Sequence, residues 1–140
     1  MRKILCLVMA VVMALALVAC ATAEESGVQV TEKSIGEGAT TFGVFVQLAT
    51  TEDQATLYHV STDETTLLAA LTNVALVAGE EAAWGFNVTT VDGIQADYDN
   101  TGEYWSIFAY DDAEGYIPLE TAIGDTPVAP DAFYLFYLNQ

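Results

Sequence analysis

The chain has very little positive charge. Three of its 140 residues are Lys or Arg against twenty Asp and Glu, a formal net charge of −17. Two of the three, Arg2 and Lys3, stand at the extreme N-terminus, so Lys33 alone faces every acid in the rest of the chain. A phosphate or nucleic-acid site needs Lys and Arg to displace counterions, and this deficit excludes one of the usual kind. It also removes polybasic attraction to anionic lipid head groups. Histidine occurs once, as His59, with no second soft ligand beside it, so neither a transition-metal site nor a Ser-His-Asp arrangement is expected. Asp111 and Asp112 are neighbours in sequence, which does not create the facing carboxylates of a glycosidase. The composition therefore predicts no enzyme and no catalytic residues.

Long apolar runs are absent except at the start. Ile4 to Val18 carries no charge and no proline, with Arg2 and Lys3 ahead of it, and it closes on Leu17-Val18-Ala19-Cys20. That is the pattern of a secretory signal ending in a lipobox, with signal residues 1–19 removed and the Cys20 thiol taking a lipid. The run is short for a membrane span of ~20 apolar residues, and Glu24 and Glu25 follow it instead of a basic stop. Cleavage after Ala21-Thr22-Ala23 is the alternative and would release a secreted protein. Lipidation is preferred because the cysteine directly follows Leu-Val-Ala. Cys6 then leaves with the signal and Cys20 is consumed, so no disulfide and no thiol nucleophile remains. The processed chain would carry Lys33 against twenty acids, a formal charge of −19. The expected location is the outer face of the cytoplasmic membrane, with the lipid anchor as the membrane contact.

Residues 20–40 are small, polar and acidic, with Gly27, Gly36 and Gly38, and read as a flexible tether reaching roughly 25 Å. Residues 41–140 form one domain. Phe42, Val44, Val46 and Leu48 alternate as a half-buried strand, followed by a polar turn at 50–55 and a second strand at 56–60, which together make a hairpin. Leu67, Leu68, Leu71, Val74 and Ala75 then recur at helical spacing. Ser61 with Glu64, or Thr65, is the expected cap, and Gly79 the expected stop. Strands follow at 84–91, ending in the Asp92-Gly93 turn, at 102–110, and at 133–138 after Pro127 and Pro130. One helix on a mixed sheet of four or five strands is an α+β fold of β-grasp plan.

Several stretches resemble the transcobalamin C-terminal-like domain found in secreted and lipid-anchored proteins of Clostridia and relatives. They are Thr65-Thr-Leu-Leu-Ala-Ala-Leu71, Val91-Asp-Gly-Ile-Gln-Ala-Asp-Tyr-Asp99, Tyr104-Trp105, and Gly124-Asp-Thr-Pro-Val128 before Tyr134 and Tyr137. The resemblance spans roughly Thr40 to Gln140 and implies a β-grasp fold. It also implies a cobalamin or other corrinoid ligand, since in vertebrate transcobalamins a similar domain covers one face of cobalamin while a helical barrel holds the other. Tyr110-Asp-Asp-Ala-Glu-Gly-Tyr116 departs from the tight Asn-Gly turn common in relatives, which leaves open whether loop 111–118 touches a ligand.

Tyr104, Trp105, Tyr110 and Tyr116 are the candidate ligand-binding residues, an aromatic platform for an apolar ligand. Successive strand residues face opposite ways, so one of Tyr104 and Trp105 is expected to pack inward. Asp97, Asp99 and Thr101 reproduce the opening of a calcium loop, but the twelfth position, which should be a bidentate Glu, is Phe108. A solvated acidic turn is the ordinary reading of that stretch. The expected function is capture of a small molecule, handed to a transporter or surface protein. The competing expectation is a cell-envelope protein-interaction or structural module with no small-molecule ligand.

Overall fold

The structure, a computed structural model, describes residues 27–140. The signal segment, Cys20 and the first part of the expected tether lie outside the described residues. A six-stranded mixed sheet carries strands β1 (Gln29–Gly36), β2 (Thr40–Leu48), β3 (Gln54–Thr62), β7 (Tyr104–Asp111), β8 (Gly115–Pro118) and β9 (Phe133–Asn139). Their order across the sheet is β1-β3-β2-β9-β7-β8. A smaller sheet holds β4 (Val77–Ala82), β5 (Gly85–Val91) and β6 (Ile94–Gln95). Helix α1 (Leu67–Asn73) and a single turn, α2 (Tyr98–Thr101), are the α-helical elements among the described residues.

The β2–β3 hairpin forms as the alternation predicts. The final strand β9 then enters beside β2 in parallel and pairs with β7 on its other side, antiparallel. Period-two alternation sends Phe42, Val44 and Val46, with Tyr58 and Val60, Tyr134, Phe136 and Leu138, and Trp105, to one face. On that face they pack against Leu67, Ala70 and Leu71 of α1 and Val77, Val88 and Val91 of the small sheet. The opposite face carries Phe45, Phe108, Phe133, Leu135, Tyr110 and Tyr116, several of them open to solvent.

Four expectations need correction. The main sheet has six strands, with a second sheet beside it, where four or five were expected. Residues 29–36 are not free coil: β1 pairs in parallel with β3 along its whole length, although most of its residues are exposed. Polar, mobile-looking composition is what a solvent-facing edge strand requires, so periodicity could not reveal it. The cap of α1 is Thr66, whose Oγ1 accepts from Ala69 N at 3.3 Å, in place of Thr65 or the Ser61–Glu64 box. The helix then stops before Gly79, at Ala75 with φ 57°, where Leu76 N returns to Leu71 O.

Gly79 instead sits in β4 at a bulge. A Cβ there would lie 1.9 Å from Asn87 O, so close backbone approach explains the glycine. Asp92 and Gly93 do form the two-residue turn, both with positive φ, which suits the twist of a tight hairpin.

Candidate binding site

Trp105 of β7 stands where the main sheet meets the small one. It is 8% exposed, and its indole N–H donates to the Ile94 carbonyl at 3.2 Å, tying β7 to the end of the small sheet. A buried indole usually finds such a partner, and the bond fixes the plane of the ring. Two cavities lie against it and share Asn87 and Val88 as further walls.

The first cavity, of about 270 Å³, reaches from Trp105 and Ala96 out to Tyr98, Glu103 and Tyr104. The second, of about 210 Å³, is more apolar and is bounded by Trp84, Phe86, Ile107, Leu119 and Ile123. Trp84 stands at the tip of the β4–β5 hairpin, 69% exposed. Gly85 beside it has φ 134°, and its Cα backs onto Ala122, where a Cβ would lie 2.7 Å from the alanine Cβ. The hairpin tip thus approaches Ala122 closely, and Trp84 lines the cavity while remaining largely exposed. Ligand pockets usually span 300–1,000 Å³, so either cavity alone suits a fragment or one face of a larger planar molecule.

A third cavity, about 340 Å³, lies between the β1 end of the main sheet and the β5–β6 turn, lined by Gln29, Thr31, Gln54, Thr56, Asp92 and Ile94. Beside it the Tyr58 hydroxyl donates to Asp92 Oδ1 at 2.5 Å and anchors that turn to the sheet. Burial, then the adjacent Asp92 carboxylate, push the Tyr58 phenol up to about 12.

The four aromatic candidates do not make one platform. Trp105 and Tyr104 border the first cavity, one as its floor and one as its rim. Tyr110 is six residues further along β7, roughly 20 Å away. It packs edge-on to Tyr116 of β8, centroids 5.2 Å apart, on the sheet face opposite Trp105. Tyr116 in turn meets Phe45, and Phe45 meets Phe133, so this pair belongs to the open sheet face. Burial raises the Tyr116 phenol, and Tyr110 adds to the effect. The 111–118 stretch is a hairpin. Asp111 Oδ1 accepts from the backbone of Ala113 and Glu114, and Gly115 takes φ 78° to close it.

The calcium-like segment folds as the single turn α2. Asp97 caps it, accepting from Asn100 N at 3.2 Å and from the Asn100 side chain, while the Thr101 hydroxyl donates to Asp97 O and Glu103 Oε1. Asp97 is therefore occupied as a cap in place of opening a twelve-residue loop. Among the described residues no group of three or more His, Cys, Asp or Glu comes together in metal-binding geometry. His59 faces solvent 3.5 Å from Glu32 of the neighbouring strand.

Sequence reasoning missed Trp84, Phe86, Tyr98, Glu103 and Leu119 as cavity residues. A tryptophan beside a glycine at a hairpin tip was the available signal for the first of these.

No protein-family model matches the sequence, and no curated protein matches it. Solved structures do share its fold. A protein from Ruminococcus gnavus, described as a candidate metal-binding protein, superposes with a TM-score of 0.61 at 24% identity, over 73% of this chain and 98% of its own. Haptocorrin in complex with Cbi superposes with a TM-score of 0.53 at 15% identity, over 76% of this chain and 26% of haptocorrin. At these identities the likeness concerns the fold, and this chain corresponds to about a quarter of haptocorrin. The sequence resemblance and the likeness to haptocorrin agree at the level of the fold.

Proposed function

We propose that the protein is a binding module of β-grasp plan, held by lipid on Cys20 at the outer face of the cytoplasmic membrane, that captures a corrinoid-type ligand. The observation that carries the reading is the aromatic-walled cavity bounded by Trp84, Phe86 and Trp105, on a fold shared with haptocorrin, whose structure is a complex with Cbi. The β-grasp assignment rests on the hairpin, helix and central parallel closing strand. Trp84, Phe86 and Trp105 give the apolar surface on which one face of a planar macrocycle would lie. The other face is left for a second protein, such as a transporter that receives the ligand. The role is binding, with no catalysis assigned. The metal-binding description of the Ruminococcus protein is not carried over, because no ligand cluster assembles among the described residues.

Equilibrium dialysis of the exported protein against cobalamin and cobinamide tests the reading. Saturable uptake that falls in Trp84→Ala supports it, and absence of uptake for both compounds overturns it.

The second reading is a protein-interaction module. It is favoured by the open sheet face, where Phe45, Phe133, Tyr110 and Tyr116 form a chain of ring contacts beside solvent. Contiguous exposed aromatics of this kind are typical of docking surfaces. Retention of a surface protein by the wild type that is lost in Phe133→Ser, with no corrinoid uptake, would select this reading.

A further inference from the structure

We infer that the cavity between Tyr98, Glu103, Tyr104 and Trp105 is a separate site for the quaternary ammonium group of a small soluble molecule. The inference goes beyond the corrinoid reading and does not depend on it.

Two large aromatic side chains stand at this cavity without serving the core: Tyr98 is 69% and Tyr104 49% exposed. Their ring centroids are 6.5 Å apart and the planes meet at 71°, two walls of a corner. Trp105, Val88 and Ala96 supply an apolar floor in a space of about 270 Å³, with room for a trimethylammonium head. Aromatic faces attract cations through their quadrupole, most strongly where water is excluded.

The counter-charge is in place. Glu103 lines the same cavity, and its Oε1 accepts from the Thr101 hydroxyl at 2.7 Å, with no donor to Oε2 among the described residues. Among the described residues no Lys or Arg competes for it. Lys33, the single basic residue in the described part of the chain, lies on β1, at the far edge of the main sheet from β7 and β8. The surroundings are acidic throughout, at −17 overall, which concentrates cations near the surface.

The choice of head group follows from the same inventory. Tyr98, Tyr104 and Trp105 supply ring faces, and Asn87, Thr89 and the Glu103 carboxylate are the polar part of the lining. A quaternary ammonium has no donors to satisfy, so ring faces and a single counter-charge suffice for its recognition.

The test is titration of the exported full chain with choline at constant ionic strength, read by indole fluorescence and by amide shifts. The control ligand is the carbon isostere of choline, in which a tert-butyl group replaces trimethylammonium. Saturable binding of choline, absent or at least tenfold weaker for the isostere, is the expected result. Tyr104→Ala and Glu103→Gln should each weaken it by about 3- to 30-fold. Thermal melting of each variant separates a lost site from a lost fold, and Tyr98→Leu, at a more exposed position, is the second variant. Equal binding of the isostere, no binding of choline, or variants that bind like the wild type overturns the inference. Cobinamide binding without choline binding overturns it and leaves the corrinoid reading intact. Choline binding without cobinamide binding supports it and removes only the other.

Discussion

Replacing Tyr58 by Phe removes one hydroxyl from a buried ring and leaves the rest of the packing unchanged. That hydroxyl donates to Asp92 Oδ1 and is the tie between the main sheet and the β5–β6 turn. A hydrogen bond to a charged acceptor is worth about 1.5–3 kcal/mol. Asp92 itself is exposed, so solvent screening reduces the expected loss to about 1–2 kcal/mol at neutral pH. The pH dependence supplies a second handle. The folded phenol is pushed up to about 12, against an ordinary value of 10.0, so the native state holds this proton more tightly than the unfolded chain does. The stabilisation is therefore fully present below pH about 10 and is lost as pH rises through about 12. Urea titrations of wild type and Tyr58→Phe at several pH values read the difference directly. Tyr116, Tyr134 and Tyr137 are also shifted upward and contribute to alkaline loss in both proteins, so only the difference between the two curves isolates Tyr58. The expected difference is about 1–2 kcal/mol at pH 7, shrinking as pH approaches 12. Equal stability at pH 7, or a difference constant through pH 12, would refute the assigned role of the Tyr58–Asp92 bond.

Other substitutions probe the remaining structural claims. Thr66→Ala removes the α1 cap and should cost about 1 kcal/mol in chemical denaturation, while Thr65→Ala should cost far less. Gly79→Ala drives a Cβ into Asn87 O and should lower stability by ~2–3 kcal/mol, measurable as a drop in Tm. Trp105→Phe loses the bond to Ile94 O and part of the ring, for ~1–3 kcal/mol by denaturation. Cys20→Ser, under the proposed lipidation, should abolish incorporation of radiolabelled fatty acid and shift the protein from membrane to medium.

The hairpin, the helix and the β7 and β9 strands were legible because each buries one face, and burial of one face writes a period into the sequence. Phe42-Val44-Val46 and Leu67-Ala70-Leu71 show this directly. Strands β1 and β4 were hidden for the converse reason: their residues are mostly exposed, so Gln29–Gly36 and Val77–Ala82 carry little alternation. Strand β8, Gly115–Pro118, is only four residues long, too short to write a period. The platform of four aromatics failed on a matter of length and pairing. Residue type marked Tyr110 and Tyr116 as notable; alternation along β7 already sets Tyr110 opposite Trp105, and the pairing of β7 with β8 then brings Tyr116 beside it. Trp105 was legible as an aromatic that packs. Its two flanking cavities were not, since they arise from β5 and the 119–123 segment meeting it across the core.

The most direct test of the binding account is amide chemical-shift mapping of the protein titrated with cobinamide. The account predicts saturable shifts concentrated at Trp84, Phe86, Trp105 and Leu119, with the Phe45–Tyr116 face unmoved. Shifts confined to that outer face, or a spectrum unchanged by the ligand, would contradict it.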